Sequence, residues 1–394
     1  MKTDEKKEKI IGIAVCCIIT GLFLTNISYG IFQDNLLLYQ LVNLGCKAII
    51  LGCLLVSCIF IMKRINIKII LYIAIFILTI LIQLVFFQNL NDYFIDNLIN
   101  YATVILPTVV CFLSIKDYER ILKYLIKTSF FIATFTAIAF IVFGNNLFKD
   151  GYSMGFANIM IFPTNTLIYY LFNTKISKTK KVFTTILVLF NIFTIFAFGS
   201  RGALIDIVAF FIFSFIVNKK KTVGKYITII ATVIVMLVCI TFYDDIIKYL
   251  ISVFDDLGIN SRTLTILSTD LNHDSGRTEI WESILAKISE NPFEIRGINA
   301  EYMLVGIYSH NMFLELIYDL GIFIGTVITI YIIYAIIRTL LAKPSSYVHI
   351  LQLLLFSFFP LLLWSDSIWR SIFFWVWICY FDSKKIYNKR EELI

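Results

Sequence analysis

Few residues of this chain have both the type and the setting for chemistry, and most of them lie between positions 199 and 319. Arg201 stands in Phe198-Gly199-Ser200-Arg201-Gly202, between two apolar runs. An arginine left in hydrocarbon costs about 3 kcal/mol or more, so one at a membrane edge either points at an anion or snorkels to headgroups. Position alone leaves both readings open. Arg277 follows Asp274-Ser275-Gly276 and opens a stretch whose apolar residues at 280, 281, 284, 285 and 288 mark one face of a helix. Ser275 or Thr278 is placed to cap that helix, and Asn291-Pro292 to stop it. The helix N-terminus and Arg277 together favour an anion; a solvated cap arginine is the alternative.

His310, in Tyr308-Ser309-His310-Asn311, directly precedes another apolar run. Its imidazole suits a general base near neutral pH or a hydrogen-bond donor to phosphate. The plainer reading is an interface histidine beside a helix cap at Ser309 or Asn311. Glu315 and Asp319 lie four residues apart on one helix face. Carboxylates inside a span usually face the bundle interior or a wet cavity, and these two serve a substrate or pair with Lys47. The catalytic candidates are Arg201, Arg277 and His310; the substrate-binding candidates are Arg201, Arg277, Arg296, Asn311 and Glu315. Asp244-Asp245 and Asp255-Asp256 are adjacent doublets on amphipathic stretches, and all eight cysteines fall in apolar runs without a CxxC. Neither a metal nor a cofactor is expected, and a loop disulfide framework is excluded.

The elements that must position these residues are membrane helices. Of 394 residues 59% are hydrophobic and 15% charged, with a mean hydropathy of +0.85, a balance foreign to a soluble domain. The apolar runs are continuous and long enough for a core of about 30 Å, so the fold class is all-α, polytopic, with about twelve transmembrane helices. They are expected near 10–29, 36–62, 67–87, 98–115, 124–143, 156–172, 182–198, 203–217, 226–242, 312–337, 348–363 and 368–381. The first run follows four lysines as a signal peptide would, but it is too long and lacks a small-x-small site, so it reads as a span. Residues 182–217 as one helix would measure about 54 Å, so the chain must turn back at 198–202. Pro107, Pro163 and Pro360 predict kinks. Trp364, Trp369, Trp375 and Trp377 read as an interfacial aromatic belt.

With the N-terminus inside, the inner connections hold 25 of the 34 Lys and Arg. This alternation predicts spans one to nine over 1–242, one large extracytoplasmic loop with amphipathic helices over 243–311, and spans ten to twelve with a cytoplasmic tail over 312–394. Both termini are then cytoplasmic. The net charge of +7 is an orientation signal and implies no nucleic acid.

Phe198-Gly199-Ser200-Arg201-Gly202-Ala203, then Ser275-Gly276-Arg277 with Trp281, then Glu290-Asn291-Pro292-Phe293, then His310-Asn311 with Leu314 and Gly321, resemble in order the O-antigen polymerase and O-antigen ligase superfamily. The likeness is strongest over 182–330. It departs where Gly321 is followed by Gly325 instead of a Gly-x-x-Gly spacing, and the paired loop-arginine repeat of some polymerases is not visible. The resemblance implies a glycosyltransferase-C-like membrane enzyme that joins undecaprenyl-diphosphate-linked oligosaccharide repeat units into O-antigen or capsule polysaccharide, at the outer face of the bacterial cytoplasmic (inner) membrane. Arg201 and Arg277 would hold the diphosphate, and His310 would be the histidine closing the large loop. Implied partners are the lipid-linked donor and acceptor, membrane lipids, a chain-length regulator and a flippase. A ligase that transfers glycan to lipid A-core is the alternative within the superfamily. A flippase or transporter is the alternative outside it, although no internal repeat of the transporter kind is seen.

Overall fold

The computed structural model describes residues 2–61, 67–148, 153–199, 201–217, 243–256, 258–259, 261–269 and 276–382. Their regular structure is helical: α1 (Lys2–Ile31), α2 (Leu36–Ile61), α3 (Ile67–Phe86), α4 (Asn91–Asn100), α5 (Leu106–Leu113), α6 (Tyr118–Phe143), α7 (Met154–Asn173), α8 (Lys178–Phe198), α9 (Arg201–Val217), α10 (Tyr243–Asp256), α11 (Arg262–Thr269), α12 (Arg277–Glu290), α13 (Glu301–Val305), α14 (Met312–Leu340), α15 (Ser346–Leu355), α16 (Phe359–Leu362) and α17 (Ile372–Tyr380). Among the described residues six helices are long and apolar enough to cross a membrane: α1, α2, α3, α6, α8 and α14. On α3, Ile70, Leu71, Ile75, Leu78 and Leu81 are exposed, and on α14 so are Phe323, Val327 and Ile330. Apolar faces of this extent are costly in water and suit lipid.

The remaining expected spans are shorter or interrupted. Span 98–115 passes through α4, a π-helical turn (Tyr101–Ile105) and α5, with Pro107 in the first turn of α5. Proline removes one backbone donor, and a π-turn is a common way to absorb the mismatch. Span 156–172 is α7, 20 residues long with Pro163 inside, and 203–217 is α9 with 17. Span 348–363 divides into α15 and α16, the latter starting at Pro360's turn, and 368–381 reduces to the nine residues of α17. The expected span 226–242 lies outside the described residues.

The chain forms two compact units. In the first, made of 1–25, 40–128 and 274–394, α17 packs on α5 and α15, and α12 packs on α14. The Phe358 ring lies 5.3 Å from Trp377 and 5.5 Å from Phe374 at the centre of that packing. Trp369 and Trp377 are buried and only Trp364 of the tryptophan group is exposed, so two members of the expected belt are core residues instead. In the second unit, made of 26–39 and 129–273, α7 packs on α8 and α9 around Phe148, Phe156 and Phe198.

Candidate functional site

Arg201 is the first residue of α9, immediately after the turn that ends α8 at Gly199. That turn is held from three sides within the second unit. The Ser153 amide donates to the Phe198 carbonyl at 2.6 Å, the Ser261 hydroxyl to Phe196 at 3.1 Å and the Thr263 hydroxyl to Gly199 at 2.9 Å. A Cβ at Gly199 would come within 2.6 Å of the Ala157 side chain, so only glycine allows this closeness. The hairpin expected at 198–202 is therefore present and braced. Ser200 lies outside the described residues.

The first unit carries the other candidates around the N-termini of α12 and α14. Arg277 heads α12 after Gly276, whose φ of 78° makes the left-handed entry. The cap is thus Gly276 itself and not Thr278, while Asp274 and Ser275, like His273, lie outside the described residues. The helix stops at Asn291, as expected. Trp281, one turn on from Arg277, donates from Nε1 to the Ser309 carbonyl at 2.8 Å. Tyr308 donates its hydroxyl to the Ser365 carbonyl at 3.1 Å and sets its ring 4.3 Å from that of His310. His310 is thereby held from both sides in a backbone conformation with φ 58°, shared among the described non-glycine residues only by Asn299. Such a residue stores strain that its surroundings must over-determine. Asn311 follows as the cap of α14, its side-chain oxygen accepting from the Phe313 and Leu314 amides at 3.1 and 3.2 Å.

The His310 imidazole is partly buried and its Nδ1 has no hydrogen-bond partner among the described residues. Burial, and after it the positive charge of Arg277, push its pKa down to about 4. It is therefore neutral at physiological pH, with a nitrogen able to accept a proton. Arg277 and His310 are thus close enough to feel each other's charge.

Arg296 and Glu315 sit differently. The Arg296 guanidinium donates to the carbonyls of Lys287, Asn291, Glu294 and Tyr318, pairs with Glu294 at 2.8 Å and lies 4.8 Å over the Tyr318 ring. It collects the orphan carbonyls at the end of α12 and inside α14, where a cation is favoured. Glu315 is fully buried and accepts from the Ser367 hydroxyl and the Ile368 amide. Asp319 accepts from the Asn299 and Ala300 amides and from Trp369 Nε1. Lys47 is partner to neither.

Sequence reasoning missed what pins the loop. Gln83 of α3 makes a two-point pairing with Ile298, donating to its carbonyl at 3.1 Å and accepting from its amide at 3.0 Å. Asn97 of α4 donates to Asn299 and accepts from Arg370 Nε. A polar residue inside an apolar run was the available signal.

Residues 186–330, from within α8 to within α14, match the family model described as O-Antigen ligase. No curated protein and no solved structure matches the chain. The matched stretch contains Arg201, Arg277, Arg296, His310, Asn311 and Glu315, and over it the chain is similar to the O-antigen ligase family.

Proposed function

We propose that the protein polymerises undecaprenyl-diphosphate-linked oligosaccharide repeat units at the outer face of the cytoplasmic membrane. The observation that carries this reading is the neutral, strained, partly buried His310 beside Arg277. In the reaction a sugar hydroxyl of the acceptor attacks the anomeric carbon of the donor. The bond from that carbon to the lipid diphosphate breaks, its electron pair leaves with the diphosphate, and the hydroxyl proton passes to His310. Arg277 neutralises the charge that grows on the diphosphate, an electrostatic stabilisation that is strongest away from water, and to Arg201 a diphosphate role is assigned on the resemblance alone. Outside the membrane no nucleotide triphosphate is at hand, and a lipid diphosphate brings its own leaving group. Asn311 holds the turn that presents His310. Arg296 and Glu315 we assign to holding the loop, because the contacts above engage both terminal nitrogens of the guanidinium and both carboxylate oxygens.

The arginine roles are tested by Arg201→Lys and Arg277→Lys. Lysine keeps the charge and loses the bidentate fork, so each variant is expected to lower polymer yield about tenfold or more at equal protein level. A headgroup anchor tolerates lysine, and full yield from both variants counts against diphosphate binding. Sidedness is tested by single cysteines at Asn260 and Lys389 in a cysteine-free background. An impermeant thiol reagent is expected to label position 260 in intact cells and to spare 389; the reverse pattern overturns the proposed orientation.

A further inference from the structure

Three carboxyl groups lie together in the first unit, all fully buried: Glu301 at the start of α13, and Glu315 and Asp319 on α14. The three face one another. Hydrogen-bond donors are divided unequally among them. Glu315 receives the Ser367 hydroxyl and, at 3.0 Å, the Ile368 amide. Asp319 receives the Asn299 and Ala300 amides, each at 3.2 Å, and Trp369 Nε1 at 2.7 Å. Among the described residues neither oxygen of Glu301 receives a donor from another residue.

Among the described residues no cation makes up for this. The charged groups that face Glu301 are the two carboxyls on α14. From the 366–370 segment, Asp366 and Arg370 face the neighbouring Tyr302, with the Arg370 guanidinium 5.6 Å over its ring and Arg370 Nε bonded to Asn97. Among the described residues no group of three or more His, Cys, Asp or Glu is arranged to hold a metal ion. An ionised carboxylate buried without a donor is costly enough that it takes up a proton, the more so beside other carboxylates. A protonated Glu301 also becomes a donor, and the acceptors in front of it are the oxygens of Glu315 and Asp319.

We propose that Glu301 is a positioning residue that acts as a neutral acid: its proton bonds it to the Glu315 and Asp319 carboxyls and fastens residues 299–311, and with them His310, onto α14. The claim about His310 rests on the polymerase reading; the claim about the proton does not. Burial first, and the neighbouring Asp319 after it, raise the Glu301 carboxyl well above the usual carboxylate range. Free glutamate ionises near 4.5, so from there up to the raised value the folded chain binds more protons than the unfolded one. Stability then declines as the pH rises through that window, and the fastening loosens when the proton is lost.

The test uses the full chain in detergent micelles with Glu301→Gln and Glu301→Ala. Glutamine supplies a permanent neutral donor of the same shape. Three readouts need no substrate: the infrared band of a protonated carboxyl at neutral pH, the melting temperature by tryptophan fluorescence across pH, and carbethoxylation of His310 by diethylpyrocarbonate, read peptide by peptide in a mass spectrometer. Glu301→Gln is expected to diminish the infrared band by the share of one carboxyl, to keep or raise the melting temperature, and to lessen both its alkaline decline and the alkaline rise in His310 labelling. Glu301→Ala is expected to melt lower at every pH. A protonated-carboxyl infrared band left unchanged by Glu301→Gln, or glutamine as damaging as alanine, overturns the proposal. If the three readouts fall as expected while no form of the protein elongates lipid-linked repeat units, the polymerase reading fails and the proton-held latch stands.

Discussion

His310→Ala is expected to reduce chain elongation by about two to four orders of magnitude, the usual worth of a positioned general base. Cells carrying it should accumulate single lipid-linked repeat units on the outer face and lack long chains. The variant protein should still be present, because alanine places the same Cβ as histidine on the φ 58° backbone and the Trp281 bond goes to the Ser309 carbonyl, which the substitution leaves in place. A ligase defect would instead leave long lipid-linked chains unattached, and a flippase defect would trap single units inside. The length and sidedness of undecaprenyl-linked glycans in that strain decide among the three. Long chains on the carrier would refute the polymerase assignment, and single units on the inner face would refute glycosyl transfer by this chain.

The same histidine sets the acid side of the pH profile. With its pKa pushed down to about 4, the imidazole stays a competent base through the weakly acidic range, and elongation should fall only as the pH drops through about 4. The stability sign is separate. An unfolded histidine takes its proton near 6.5, so the unfolded chain binds more protons than the folded one between about 6.5 and 4, and His310 makes the fold less stable as the pH falls through that interval. A melting temperature that rises on acidification across it, after subtraction of the same scan on His310→Ala, would contradict a neutral buried imidazole.

Much of the site was legible because it rests on short-range rules. The turn at Gly199 follows from a run too long for one crossing, and α12 from apolar spacing that stops at Asn291-Pro292, although its cap is Gly276 and not the expected Thr278. Asn311 as the cap of α14 is a local preference of asparagine. What could not be read depends on partners distant in sequence. The bonds from Gln83 to Ile298 and from Trp369 to Asp319 join residues 215 and 50 positions apart, and nothing in the spacing of either pair announces the other. Trp369 and Trp377 misled for the same reason: tryptophan near a span end is common at the interface, yet here each is covered by the packing of α17 and the 365–371 segment. Arg296 drew the eye as an outer cation, and its use as a collector of helix-end carbonyls shows only once α12 and α14 are brought together.

Gly321→Ala should be strongly damaging, costing about 3 kcal/mol or more and showing as a lower melting temperature and poor membrane yield. α14 is broken at this residue, which has φ 74° and ψ 160°, a conformation that only glycine adopts readily. A broken helix inside a membrane survives only where its freed backbone groups find partners in protein. Here residues 292–297 supply them: the Ile322 amide donates to Pro292 at 2.8 Å, and the amides of Arg296 and Gly297 donate to the Asp319 carbonyl at 2.9 and 3.0 Å. A Cβ at 321 would stand 2.9 Å from the Phe293 carbonyl oxygen and 3.0 Å from that of Glu294. Those are backbone atoms held by the same bonds, so they cannot swing aside as a side-chain tip would. The control is Gly52→Ala in α2, where nothing lies within 4 Å of the added carbon. There the change should be neutral or add up to about 1 kcal/mol, since glycine weakens a helix interior. Equal melting temperatures for the two variants would mean that α14 can close its break, and the seat of Asp319 and of the loop leading to His310 would then have to be sought elsewhere.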